Sequence, residues 1–340
     1  MKNIWQTIVV QKKKAKNPLA RTIFALAPMI NVTDIAFRQI IAKYSRHGKP
    51  LGGPDLFWTE FVSADGLASD AGRKATLRLL KFNKKKESPI IAQLFGANPE
   101  TMEKACRIVA KLGFAGIDIN MGCPDKDVVK NGAGVALIKN PKLAREVIRG
   151  ALRGAGTVPV SVKTRIGFNE ISYKTWLPEL LAENIVALTV HLRTRKEMSL
   201  VPAHWELAKD IAQTVRAVRP DIVLIGNGDV VSLTEGKEKA HASGFDGVMI
   251  GRGIFGNPWL FDTKRKKILS VKEKLSVLLE HVKLFEKEMK HRNFAIMKKH
   301  FKAYVSGFDG AKELRIQLME AKDVKGVKTI LSAYLKTLAK

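Results

Sequence analysis

Cys123 stands between Gly122 and Pro124 in the run N-M-G-C-P at 120–124. An unperturbed thiol has a pKa of about 8.5, so it is mostly protonated at neutral pH and can donate a proton. A lone cysteine is more often a small buried hydrophobe. Cys106, on the apolar side of an amphipathic segment, fits that description; Cys123 follows a strand end and leaves both readings open. Lys163 and Arg165 alternate with apolar or small residues in V-P-V-S-V-K-T-R, as His191 and Arg193 do in I-V-A-L-T-V-H-L-R. Gln93 and Asn120 sit near the ends of two further β-rich runs. Asn227, Gly228 and Asp229 lie in G-N-G-D, and Gly251 and Arg252 in G-R-G. Glycine-rich strand ends let backbone N–H groups approach a phosphate, and Arg252 supplies a cation beside them.

These residues need a scaffold that brings them together. Eight β-rich runs at 23–29, 56–62, 89–95, 116–122, 158–165, 185–193, 221–229 and 247–253 are each followed by a stretch long enough for a helix. That alternation predicts an α/β fold, a closed (β/α)8 TIM barrel rather than an open sheet. Sites in such barrels lie at the C-terminal strand ends. Side chains alternate along a strand, so Ser161, Lys163 and Arg165 face the axis, as do Thr189, His191 and Arg193. Two adjacent strands thus send Lys163 and His191 to one place. Asn98 and Asn140, each followed by Pro, read as helix caps. From 262 onward the strand pattern stops, and amphipathic segments at 271–290, 293–305, 311–321 and 327–338 predict a small helical bundle. The expected division is a catalytic barrel at 1–261 and a helical domain at 262–340. Trp58, Trp176, Trp205 and Trp259 read as packing residues.

The chain has 340 residues, two of them cysteine, and a formal net charge of +27. Two cysteines make no disulfide framework, and no Cys/His cluster has zinc spacing, so no metal is expected. No apolar run approaches the roughly 18 residues of a membrane span, and no signal-peptide core is present. A cytoplasmic protein without a membrane partner is expected. The charge leaves open a polyanionic partner or an ordinary lysine-rich surface. It is densest in 262–340, where 20 basic residues face 9 acidic ones. Lysine runs at 12–14 and 84–86 read as surface segments.

Taken in order, the motifs resemble those of the tRNA-dihydrouridine synthases. The matching stretches are A-P-M at 27–29 with T-D and F-R behind it, N-M-G-C-P with G-A-G at 132–134, and V-K-T-R-I-G at 162–167. V-H-L-R-T-R at 190–195, G-N-G-D, G-R-G-I-F-G-N-P-W-L-F at 251–261 and the tail's K-K-H-F-K-A-Y at 298–304 complete the series. The resemblance implies an FMN-dependent reduction of uridine to 5,6-dihydrouridine in tRNA. NADPH would be the reductant, with NADH as the other nicotinamide donor, and the enzyme would act as a monomer on the RNA. It implies that Cys123 protonates C5 while hydride reaches C6. Pro28, Met29, Ile30, Gln93, Lys163 and His191 would hold the flavin, and Asn227, Gly228, Asp229, Gly251 and Arg252 would surround its phosphate. Glu60, Asn120 and Arg165 would lie where the family holds substrate or flavin. Leu192 stands where the family commonly has Gly, and 198–204 lacks the small glycine-containing loop of bacterial members. Two rivals remain. A flavin barrel acting on a free pyrimidine such as dihydroorotate would not need the basic tail. A barrel that only binds RNA would need none of Cys123, Lys163 and His191.

Overall fold

Strands covered on both faces read as nearly continuous apolar runs, and eight such runs form parallel strands in the computed structural model, which describes residues 3–16, 21–265 and 269–338. They are β1 (Ile23–Leu26), β2 (Phe57–Ser63), β3 (Ile90–Phe95), β4 (Gly116–Met121), β5 (Val160–Gly167), β6 (Ala187–Thr194), β7 (Val223–Asn227) and β8 (Gly247–Ile250). Each strand pairs with its sequence neighbour, and β1 also pairs with β8. The ring closes between β1 and β2, where Leu26 N–H donates to the Leu56 carbonyl at 3.0 Å. Every expected strand is present, with ends displaced by no more than three residues. Asn98 and Asn140 cap the helices Pro99–Val109 and Pro141–Ala155.

Alternation divides the barrel's side chains as expected. Val160, Val162, Leu188, Val190 and Leu192 join the core between strands and helices. The register places Asn120 beside Lys163, Arg165 beside His191, and His191 beside Asn227. The lower interior is apolar, with Ile23, Trp58, Ile91, Val223 and Met249 clustered around Trp5 and Ile8. Those two belong to α1 (Ile4–Lys13), which plugs this cluster; the Trp5 and Trp58 ring centroids are 5.8 Å apart. Polar side chains begin above it.

The tail comprises helices Val271–Glu288, Lys298–Tyr304, Ala311–Glu320 and Val324–Thr337, with a 3-10 turn at Phe294–Met297. It docks on α2 (Ile35–Tyr44), where Phe37 is stacked on His281 at 4.9 Å and meets His300 edge-on at 4.8 Å. Burial keeps both imidazoles neutral, pushing His300 down to about 3. Trp58, Trp176 and Trp259 are buried packing residues. The lysines of 84–86 are exposed. Among the described residues, no helix is long and apolar enough to cross a membrane.

Candidate active site

The C-terminal strand ends surround a cavity of about 790 Å³. Pro28, Met29 and Ile30 form one wall beyond β1. Asn120 and Cys123 contribute from β4 and its following loop, Lys163 and Arg165 from β5, and His191 and Arg193 from β6. Asn227, Gly228 and Asp229 close the β7 side, and Gly251 and Arg252 the β8 side.

Cys123 is held by its backbone. Its N–H donates to Asn120 Oδ1 at 2.9 Å, as does that of Gly122 at 3.0 Å. Asn120 Nδ2 donates to Gln93 Oε1 at 3.0 Å, and Gln93 Nε2 donates to Asp118 Oδ2 at 2.6 Å. Ser161 Oγ donates to the other Asp118 oxygen at 2.6 Å. An ordered polar ladder thus supports the thiol loop from below. Gly134 explains the G-A-G motif: its φ is +59°, and a Cβ there would lie 2.7 Å from Val128 Cγ1 and 2.9 Å from the Cys123 carbonyl. Burial pushes the Cys123 thiol above its ordinary pKa, which favours the protonated form.

Lys163 Nζ donates to Asn227 Oδ1 at 3.1 Å, and Asn227 is oriented by its own donation to the Met249 carbonyl at 2.8 Å. Burial, reinforced by Arg165, lowers the Lys163 pKa to about 8, against the opposing pull of Asp118. Arg165 Nε donates to the Gly122 carbonyl at 2.9 Å, and its Nη1 to the Thr194 and Met198 carbonyls at 2.9 and 3.0 Å. It therefore joins the Cys123 loop to the loop following β6. Burial and Arg193 lower its pKa to about 10. His191 Nε2 lies 3.3 Å from Arg193 Nη1. A guanidinium can only donate, so Nε2 accepts and the proton of the neutral ring sits on Nδ1. Burial and then Arg165 hold the ring far below the usual imidazole pKa.

At the glycine-rich ends, the N–H groups of Gly228, Asp229 and Gly251 have no hydrogen-bond acceptor among the described residues. Gly228 has φ +133°, and a Cβ there would fall 2.6 Å from Ala203 Cβ. Asp229 is tied down by Arg193, by the Ala203 N–H at 2.9 Å and by Arg252 at 2.7 Å. Free backbone donors beside arginines suit an anion, and the wall at 27–30 suits a flat apolar ring.

Thirteen of the fifteen residues expected at the site line this cavity. Gln93 and Glu60 do not. Gln93 occupies the layer beneath, and Glu60 is 1% exposed behind the 28–31 wall, accepting the Asn31 N–H at 2.5 Å. Asp118 in the ladder, and Phe61, Asp125, Met198, Ser199, Val230 and Val231 in the cavity lining, went unrecognised, and Arg193, read only as facing the axis, proves to be a partner of Asp229. Among the described residues no group of three His, Cys, Asp or Glu side chains could hold a metal ion.

The fold resembles that of solved reductases at low identity. Morphinone reductase superposes with a TM-score of 0.50 at 12% identity, over 71% of this chain and 84% of that one. A 2-naphthoyl-CoA reductase gives 0.53 at 9% identity, over 71% and 49%. The sequence relatives are much nearer. A "Probable tRNA-dihydrouridine synthase" of Staphylococcus aureus (strain COL) is 41% identical over 326 residues, covering 95% of this chain and 96% of its own. A "Probable tRNA-dihydrouridine synthase 2" of Bacillus subtilis (strain 168) is 41% identical over 319 residues, covering 93% and 95%. The dihydrouridine synthase model matches residues 25–339. With that match laid over a barrel whose motifs meet in one cavity, the chain belongs to the dihydrouridine synthase family.

Proposed function

We propose that this protein reduces uridine in tRNA to 5,6-dihydrouridine, with FMN as bound cofactor and NADPH as reductant. The observation that carries the reading is the meeting of a protonated thiol, Cys123, with a buried cation, Lys163, at the mouth of one cavity in a chain of this family. The residues present fit the cofactor. Free N–H groups at the ends of β7 and β8, with Arg252 beside them, would take its phosphate; Pro28, Met29 and Ile30 would lie against its ring. A flavin held there supplies the hydride that reaches uracil C6.

The chain's own residues do the rest. Cys123 holds a proton at Sγ for C5, and the thiol loop is kept in place by Asn120, with Gln93 and Asp118 behind it. Lys163 would hold the ring of a bound flavin, and its positive charge would favour the electron-rich, reduced form. Arg165 ties together the two loops that flank the substrate's entry. Residues 1–261 form the catalytic unit and 262–340 the RNA-gripping one, working as a monomer in the cytoplasm. The target uridine must leave its stack to reach the cavity, at a cost of a few kcal/mol. A free-pyrimidine reductase is not favoured, because the family match runs through the tail to residue 339.

Purified protein is expected to be yellow, and with NADPH it should form dihydrouridine in unmodified tRNA but not in free uridine. Cys123→Ala should keep flavin reduction by NADPH and lose uridine reduction by about 10²–10⁴-fold, the usual contribution of a positioned acid. Unimpaired tRNA turnover in that variant would remove Cys123 from the chemistry.

A further inference from the structure

Arg292 lies in the tail, between helix Val271–Glu288 and the 3-10 turn at Phe294–Met297. Its neighbours His291 and Asn293 are exposed, whereas Arg292 turns inward and its side chain is 16% exposed. It reaches the barrel. Its Nη1 donates to Asn31 Oδ1, and its Nη2 lies 3.4 Å from Glu60 Oε2. Glu60, in the middle of β2, uses its other oxygen to accept the Asn31 N–H. Asn31 is left-handed, with φ +56°, directly after Pro28, Met29 and Ile30.

The charges make this contact selective. Arg38, a fully buried arginine of the region, is committed to Glu87 at 2.6 Å and to the Thr33 and Lys81 carbonyls. Among the described residues Arg292 is the only cation that ion-pairs with Glu60. A carboxylate 1% exposed and stripped of its cation is strongly unfavourable. The turn that carries the cavity wall is therefore held through a fork whose root lies in the tail.

We propose that Arg292 is a positioning residue for the flavin: from the tail, it fixes the 28–31 loop that forms one wall of the cofactor cavity. Glu60 thereby belongs to the support of that wall rather than to substrate contact. The inference rests on the cavity taking a flavin.

The test is FMN affinity, measured by fluorescence quenching on titration into flavin-stripped full-length protein, together with the visible spectrum of the bound cofactor. Arg292→Met should raise the FMN Kd at least tenfold and alter the spectrum. Arg292→Lys, which keeps the charge but loses the fork, should recover part of the affinity. Combining Arg292→Met with Glu60→Gln should cost less than the sum of the two singles, because no unpaired carboxylate remains. Should Arg292→Met fail to fold, Asn31→Gly decides: it permits the left-handed backbone and removes only the acceptor, and a raised Kd is again expected. Wild-type Kd and spectrum in the folded variants would overturn the proposal, even with a lowered melting temperature, since a simple docking strut affects only the latter. A wild-type protein that binds no FMN would instead overturn the flavin reading itself.

Discussion

Burial leaves Lys163 and His191, close together in one cavity, with different proton chemistry. The histidine accepts from Arg193 and stays neutral throughout the neutral range, whereas the lysine loses its charge near pH 8. An anionic ligand beside Lys163 binds the protonated amine better, so binding raises the lysine's pKa and is favoured at lower pH. FMN affinity should therefore fall as pH rises from 7 to 9, by at most about tenfold per unit above pH 8. Arg165, at about 10, remains charged across that window, and a phosphate monoester has already lost its second proton. Titrations of Lys163→Met at the same pH values should lose this slope; an unchanged slope would assign it to another group. Lys163 and His191 were legible because alternation decides which side of a strand a residue occupies. Depth was not. Gln93 faces the axis as expected but sits one layer down, where it orients Asn120 instead of meeting the cavity. Asp118 obeys the same alternation as Asn120 and could have been read from G-I-D-I-N-M.

At the scale of elements, the eight strands were legible because strands covered on both faces are predominantly apolar, and Gly or Pro bounds many of their runs. The plug was not. Residues 4–10 show an apolar stripe, but nothing local says that it enters the barrel's lower end, a contact made only after closure. Trp5 is 1% exposed there, packed on Trp58 within a small apolar cluster. Trp5→Ala should destabilise the fold by about 3–5 kcal/mol, as large-to-small core changes do. Urea unfolding monitored by circular dichroism measures this. FMN affinity of the folded variant should stay within about twofold, because the plug and the cavity occupy opposite ends of the barrel. A large loss of affinity without loss of stability would mean that the plug acts on the site rather than on the fold. The Arg292 contact escaped sequence reading for a related reason: its partners lie 232 and 261 positions away.

Across the whole molecule the charge of +27 is not spread evenly, and the seam between barrel and tail concentrates it. A groove of about 640 Å³ runs between α2 and helix Val271–Glu288. Lys49, Lys85, Lys283 and Lys287 line it without a carboxylate partner among the described residues, and Glu280, its single acidic side chain, is occupied by Lys43 and Tyr44. Uncompensated lysines repel one another, so a surface of this kind gains most from a partner that brings phosphates. Each phosphate neutralised releases counterions and steepens the dependence of affinity on salt, by about 0.7 per contact on single strands and 0.9 on duplex. Binding of unmodified tRNA should therefore weaken sharply between 50 and 200 mM salt, conditions that span the useful range of this effect. Replacing Lys283 and Lys287 together by Ser should reduce the log–log slope by up to about 2 while leaving FMN affinity unchanged, since neither residue borders the catalytic cavity. A flat salt dependence in the wild type would deny the RNA grip altogether. An unaltered slope in the double variant would move that grip from the seam to the barrel mouth and the remaining tail lysines.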